Sequence, residues 1–309
     1  NFEIVASIEE GDNNQILIGG EEPAPGTFRP MAFSESTEHT GRLVFAGYGF
    51  NISSDTLEWN DYEGIDPAGK WLMILRGDPE IDDPNSQFAN VSADRDKVMI
   101  AKDKGAGGVL LVSGVAYDAG DEFESLARGG YSTGIPVLRI KRELANQILK
   151  EEGLTIEELE KELNNTYSPA GIELNTEITG RADLDEKKVS TWNVLMKLAG
   201  NDPAYKDEYL IIGGHYDHLG MGGPGSSSRA IDTTAIHYGA DDNASGIAAM
   251  MEIAEKFAAE GTNARSIIFA AFGAEEMGLL GSKYLVENMP VEAKEVNAMI
   301  NLDMIGRLK

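Results

Sequence analysis

The sequence predicts an α/β protein: a mostly parallel sheet flanked by helices, joined to a smaller mixed α/β unit. Three observations predict this. Short runs rich in β-branched and aromatic residues, bounded by Gly or polar residues, read as buried strands (YLIIGG at 209–214, SIIFAAFG at 266–273, AMINLD at 298–303). Segments of helical spacing alternate with them, the order that builds a parallel sheet. In the last hundred residues, four stretches carrying Asp, Glu or His each follow an apolar run: GGHYDHLG (213–220), GADDNASG (239–246), GAEEMG (273–278) and NLDMIG (301–306).

Taken in order, residues 1–40 form a Gly-, Pro- and Glu-rich lead-in with one short strand, QILIGG (15–20). Residues 41–153 form a mixed unit with its own core. Its strands are LVFAGYGF (43–50), KWLMILRG (70–77), VLLVSG (109–114) and IPVLRI (135–140), and its helices run over 94–104 and 141–153. Its carboxylates are scattered and make no catalytic constellation. Residues 154–170 are a connecting helix and linker. There Ile156, Leu159 and Leu163 mark the buried face, and the dense glutamates a solvated one. Residues 171–309 form the larger unit. Ile172–Thr179 and Val189–Ala199 are expected to pair antiparallel across the charged turn RADLDEKK (181–188). The polar stretch GMGGPGSSSRAID (220–232) reads as a flexible loop shaping a cleft; it lacks the Lys-Ser/Thr ending of a phosphate-cradling loop. Ile247, Met250, Met251, Ala254, Phe257 and Ala258 predict a helix capped by Asp242 or Asn243 and stopped by Gly261. A second helix, through Leu279, Leu280, Tyr284 and Leu285, ends before Pro290.

Bulk properties narrow the function. The 309 residues allow two domains, each able to bury a core. A net charge of −26 repels phosphate backbones and anionic lipid, which argues against nucleic-acid or membrane-surface binding. No apolar run is long enough to span a bilayer. The absence of cysteine excludes disulfides, thiolate metal sites and Cys nucleophiles. The chain opens on Asn1 without a signal-peptide pattern and stops at Lys309 just beyond a strand, so both ends are expected to be cut.

In a parallel α/β sheet, ligands bind beyond the carboxyl ends of the strands. His215, Asp217, Glu275, Glu276 and Asp303 all fall at such ends, and Asp242 opens the first helix. These are the imidazole and carboxylate groups that a divalent metal prefers. Each stretch also has an ordinary reading: a helix cap at Asp241–Asn243, first-turn acids at Glu275–Glu276. It is their joint occurrence in one order that points to metal.

HYDHLG, GADDNASG, FGAEEMGLLGS and NLDMIG, in this order and spacing, resemble the M28 family of dinuclear zinc peptidases. LVFAGYG, DYEGIDPAGKW and KGAGGVLLVSG resemble the protease-associated (PA) domain often inserted into them. The resemblance implies a zinc-peptidase/phosphorylase-hydrolase-like fold. It implies that His215 and Asp303 bind one Zn2+, that Glu276 binds the other, and that Asp242 bridges both. Glu275 would be the general base for a zinc-bound hydroxide, and Asp217 would orient the His215 imidazole. His218 and His237 receive no metal role, and Asp241 is the neighbour of the bridge. The family's last histidine ligand lies beyond the point where this chain stops, so these residues are expected to hold one metal better than two and to hydrolyse peptides poorly.

The implied activity is a metal-dependent exopeptidase, foremost an aminopeptidase acting on peptides. The alternatives are a carboxypeptidase or dipeptidase on the same scaffold, or an inactive protein whose PA domain docks a partner. The PA domain is expected to contact substrate or a protein partner, and family habit implies export to the periplasm, the exterior or the cell surface.

Overall fold

The computed structural model describes residues 1–83, 85–124, 126, 132–223, 228 and 233–307. Two compact units emerge, one of residues 8–186 and one of residues 1–7 with 187–309. Most of the 220–232 loop predicted from the sequence lies outside the described residues.

In unit 8–186 a seven-stranded sheet runs in the order Gln15–Ile18, Ile172–Arg181, Glu38–Phe45, Trp71–Leu75, Gly108–Val112, Val137–Ile140, Phe28–Pro30. The four strands from Glu38–Phe45 to Val137–Ile140 are parallel, and antiparallel strands flank them on both sides. Side chains alternate across a strand, so the sheet needs cover on both faces. Phe45, Met73, Leu75 and Leu110 pack under Leu144 and Ile148 of helix Arg142–Leu149 and under helix Ile156–Thr166. Leu72, Ile74, Val109 and Leu111 face Val98 and Ala101 of helix Asp94–Asp103. Helix Ile156–Thr166 buries Ile156, Leu159 and Leu163, as its spacing predicts, and starts where the Thr155 hydroxyl accepts the Glu158 N–H. One of its glutamates departs from the solvated reading. Glu160 is buried because its carboxylate accepts the Ala116 N–H at 3.1 Å.

The second unit holds a four-stranded sheet in the order Val194–Leu198, Ser266–Phe272, Tyr209–His215, Val296–Asn301. Its last three strands are parallel and Val194–Leu198 is an antiparallel edge. Helix Gly246–Glu260 covers one face, with Met250 and Ala254 against Ile212, Ile267 and Phe269. Leu285 of helix Leu280–Glu287 lies on the other with Tyr209, Ile211, Ile268 and Phe272. Both helices and all three parallel strands follow the sequence pattern, and Gly261 closes the first helix in a left-handed conformation.

One pairing predicted from the sequence is overturned. Ile172–Arg181 does not pair with the segment after the RADLDEKK stretch. It pairs with Glu38–Phe45 and Gln15–Ile18, because Leu174 and Ile178 belong to the core of unit 8–186. Most of the expected turn lies in a strand of its own, Leu184–Thr191, which pairs with Phe2–Glu10 in a separate two-stranded sheet. Its charged side chains are almost all exposed, so a solvated ribbon tolerates them without an apolar face.

The rows of the smaller sheet are in register at one end. His215 lies opposite Phe272, and Gly213 opposite Asn301. The residues that continue each strand, 215–218, 273–276 and 302–303, therefore emerge on one rim.

Candidate metal centre

Three strand ends and one helix start converge on this rim. His215, the last residue of its strand, is 3% exposed, and its Nδ1 lies 3.0 Å from the backbone carbonyl of Asp217. That contact requires a proton on Nδ1 and leaves the Nε2 lone pair facing the rim. Nε2 stands 3.1 Å from Asp242 Oδ1, 3.6 Å from Asp303 Oδ1 and 3.8 Å from Glu275 Oε2.

Asp242 and Asp303 reach this point through Asn243. The Asn243 amide donates to the carbonyl of Leu302 at 2.9 Å, and its Oδ1 accepts the N–H groups of Gly246 at 3.1 Å and Met304 at 3.2 Å. One buried side chain thus ties the start of helix Gly246–Glu260 to the end of strand Val296–Asn301, each beside a carboxylate of the site. Asp241 turns away: its Oδ1 accepts the N–H of Gly306 at 2.8 Å.

Glu275 and Glu276 follow strand Ser266–Phe272, and Asp217 fixes them. Its Oδ1 accepts the Glu275 N–H at 3.0 Å and its Oδ2 the Glu276 N–H at 3.2 Å. The sequence reading gives Asp217 the task of orienting the His215 imidazole without naming the accepting atom. The Asp217 carboxylate is 3.8 Å from Nδ1, beyond hydrogen-bond distance, and the Asp217 main-chain carbonyl makes the contact.

The electrostatics follow from crowding. Burial pushes the Glu275 carboxyl up, and the nearby carboxylates of Glu276, Asp217 and Asp303 add to this against the opposing pull of His215. For His215, burial disfavours the charged ring, but Glu275, the Asp217 carbonyl, Asp303 and the Asp217 carboxylate outweigh it and raise its pKa. So many carboxylates on one rim repel unless a cation is shared among them.

Among the described residues, two sets of ligand atoms lie close enough to hold such a cation: His215, Asp242 and Asp303, and His218, Asp242 and Glu276. A tetrahedral ion with bonds near 2.1 Å keeps its ligand atoms about 3.4 Å apart. The 3.1 and 3.6 Å separations around His215 Nε2 straddle that value, so the residues fit a zinc-sized ion. His218 is the residue that sequence reasoning left out. Its Nδ1 is 2.7 Å from Glu276 Oε1 and 3.9 Å from Asp242 Oδ1. Only its spacing of three from His215, across a turn, hinted at a common side.

The profile of peptidase family M28 matches residues 193–309, and that of the PA domain matches residues 39–148. A probable zinc metalloprotease of Pyrenophora teres f. teres (strain 0-1) is 38% identical over 121 residues, 39% of this chain and 24% of that protein. An aminopeptidase of Pseudomonas aeruginosa (strain UCBPP-PA14) is 34% identical over 125 residues, 40% of this chain and 20% of that protein. The matched stretches thus span about a quarter or less of these curated relatives. Among solved structures, an aminopeptidase from Aneurinibacillus sp. strain AM-1 aligns with 98% of this chain and 58% of its own, at 22% identity and a TM-score of 0.44.

Proposed function

Because residues 193–309 belong to peptidase family M28 and residues 39–148 form a PA domain, we propose that this chain carries the catalytic centre of a zinc-dependent aminopeptidase. The observation that carries this reading is the convergence of His215, Asp242 and Asp303, whose ligand atoms lie within 4.8 Å of one another on a strand-end rim. The relatives named zinc metalloprotease and aminopeptidase support the choice of metal and of the amino end.

His215 Nε2, Asp303 and Asp242 would hold one zinc ion. Asp242 and Glu276 would hold a second, with Asp242 common to both. When bound, zinc supplies Lewis acidity that lowers the pKa of water and polarises a carbonyl. Glu275, held beside His215 but tied to no other ligand set, takes the proton from water on Oε2 and delivers it to the leaving amine. Its raised pKa brings it closer to the working pH of a general base. Asp217 keeps this pair of glutamates in place through their N–H groups.

Charge favours the amino end. Five carboxylates (Asp217, Asp242, Glu275, Glu276 and Asp303) against two dications leave about one negative charge, which attracts an α-ammonium group and repels an α-carboxylate. A carboxypeptidase on the same scaffold would have to overcome that field. The assay compares peptides with free and N-acetylated amino ends, in wild type and in Glu275→Gln. Wild type is expected to cleave only the free peptides. The variant is expected to lose about 10²–10⁴-fold in kcat with unchanged metal content. Unchanged turnover in the variant removes Glu275 as base, and cleavage of blocked peptides moves the specificity to the carboxyl end.

A further inference from the structure

Three arginines of unit 8–186 meet at one cavity of about 260 Å³. Arg29 and Arg139 stand directly opposite each other across the antiparallel strands Phe28–Pro30 and Val137–Ile140. Arg76 directly follows the parallel strand Trp71–Leu75. Like charges placed opposite each other in a sheet are destabilising. Burial adds to the cost, because Arg139 is only 3% exposed.

Each guanidinium has an acid beside it. Asp94 Oδ2 accepts from Arg76 Nε at 2.7 Å, Asp121 Oδ1 accepts from Arg139 Nη2 at 2.5 Å, and Glu10 pairs with Arg29 Nη2. The Nη groups also donate to protein oxygens, Arg139 Nη2 to Ser113 Oγ at 2.8 Å and Arg29 Nη1 to the Glu124 carbonyl at 2.8 Å. What these contacts leave over is a pair of donors. Arg29 Nε and Arg139 Nε are both buried with no hydrogen-bond partner among the described residues. Two unpaired guanidinium N–H groups, on neighbouring strands and beside one cavity, call for an anion with two acceptor oxygens, and a carboxylate is one. The remaining acid at the cavity is weakly held: Glu124 Oε1 is 3.2 Å from Arg76 Nη2 on a side chain 71% exposed. Exposed pairs of this kind contribute little, so an incoming carboxylate competes with it at small cost.

The rest of the wall is apolar, with Pro30, Met31, Ala32, Phe33 and Leu126. The Phe123 ring stands 5.9 Å from the Arg29 guanidinium carbon and 5.7 Å from that of Arg139. A volume just below the usual ligand range of about 300–1,000 Å³ suits a single residue. We propose that this cavity binds a carboxylate carried by one apolar residue. Its oxygens accept from Arg29 Nε and Arg139 Nε, reached as the Phe123 ring turns aside, and its apolar part lies against Met31 and Phe33. A free acylated amino acid and the carboxyl end of a peptide share this chemistry. The inference goes beyond the peptidase reading, and it holds or fails independently of the metal centre.

The test titrates the metal-free 309-residue chain with N-acetyl-leucine by calorimetry, so that no ion at the strand-end rim can capture the acid. Arginine Nε–Hε signals are followed by 15N NMR in the same samples. One equivalent is expected to bind, with the Arg29 and Arg139 Nε–Hε signals shifting together. N-acetyl-leucine amide and the Arg29→Gln variant are each expected to bind about 10–100-fold more weakly, the loss of a charged hydrogen bond. A pentapeptide ending in leucine separates the two sources: binding like the acetylated amino acid assigns the site to peptide ends, and exclusion assigns it to the small acid. Absence of binding, an amide that binds as well as the acid, inorganic phosphate that binds equally, or Nε–Hε signals that stay put each overturn the proposal. Should Arg29→Gln fail to fold by circular dichroism, the wild-type Nε–Hε signals and the acid–amide comparison decide.

Discussion

At the scale of single residues the centre depends on who holds whom. Asp217 touches no ligand set through its carboxylate, yet both of its oxygens are committed to the N–H groups of Glu275 and Glu276, and its carbonyl fixes the tautomer of His215. Asp217→Asn keeps the shape and the carbonyl but replaces one acceptor oxygen with an NH2 group facing an N–H donor. That loosens the glutamates and leaves the imidazole in place. The expected outcome is a loss of about 10–100-fold in zinc affinity together with a fall in kcat. The His215 ring tautomer, read by 15N NMR, should be unchanged. A variant that instead releases the His215 tautomer would show that the carboxylate, not the carbonyl, orients the ring. The residues at 215, 217, 242, 275, 276 and 303 were legible as candidates because their four stretches occur together in one order, although each alone has an ordinary reading. Which atom of Asp217 does the orienting was not legible, because it depends on the path of the turn 215–218. The place of His218 was hidden for the same reason.

At the scale of elements the sheet places the groups and Asn243 locks the placement. The parallel strands were readable from β-branched runs such as SIIFAAF, which become 266–272 of a fully paired strand, and the helices from their spacing of three and four. The Ile172–Arg181 pairing was not, because strand partners are chosen by which core can accept Leu174 and Ile178, and that is a long-range fact. The cap assignment left Asp242 and Asn243 open. The structure puts Ser245 at the cap position of this helix, with no side-chain capping bond, so neither residue caps it; Asn243 Oδ1 accepts the Gly246 N–H and Asp242 faces the rim. Asn243→Ala strips acceptors from Gly246 and Met304 and a donor from Leu302, all at a 2% exposed position. Destabilisation of about 2–3 kcal/mol is expected in urea unfolding of the metal-free chain. Zinc affinity should fall as well, although Asn243 is no ligand, because the Asp242 and Asp303 carboxylates lose their common tie. Loss of stability with unaltered zinc affinity would show that the two carboxylates are positioned separately.

At the scale of the whole molecule, each unit has its own apolar clusters, and their responses to solution conditions differ. Zinc should stabilise the unit of residues 187–309 by about 2.7 kcal/mol at a hundredfold excess over its dissociation constant, and chelation should remove this. Trp192 reports that unit, and the buried Trp59 and Trp71 report unit 8–186, so a Trp192→Phe background isolates the latter. Unit 8–186 instead responds to pH through Lys97. Its ammonium is fully enclosed, donating to the carbonyls of Leu75 at 2.8 Å and Gly77, and lies over the rings of Tyr48 and Phe50. Burial pulls its pKa down to about 7 against the attraction of Asp94, Asp61 and Asp78, with Arg76 adding to the fall. Between pH 7 and the unfolded value near 10.5, the unfolded chain carries a proton that the folded chain has released, so folding becomes more favourable as pH rises. Burial moves Asp61 the other way, up to about 7, so its contribution is present at acid pH and lost as pH rises toward neutrality. The two effects place a minimum of stability near pH 7. The alkaline limb is open to a clean test, since there is no cysteine and burial pushes the Tyr48 and Tyr62 hydroxyls up beyond the window. Stability followed by Trp59 and Trp71 should rise on the order of 2 kcal/mol between pH 7 and 9. In Lys97→Met that rise should disappear, whatever the variant's absolute stability. A variant that keeps the wild-type slope would mean that Lys97 remains charged in its pocket and that the carbonyls and aromatic faces solvate it as well as water does.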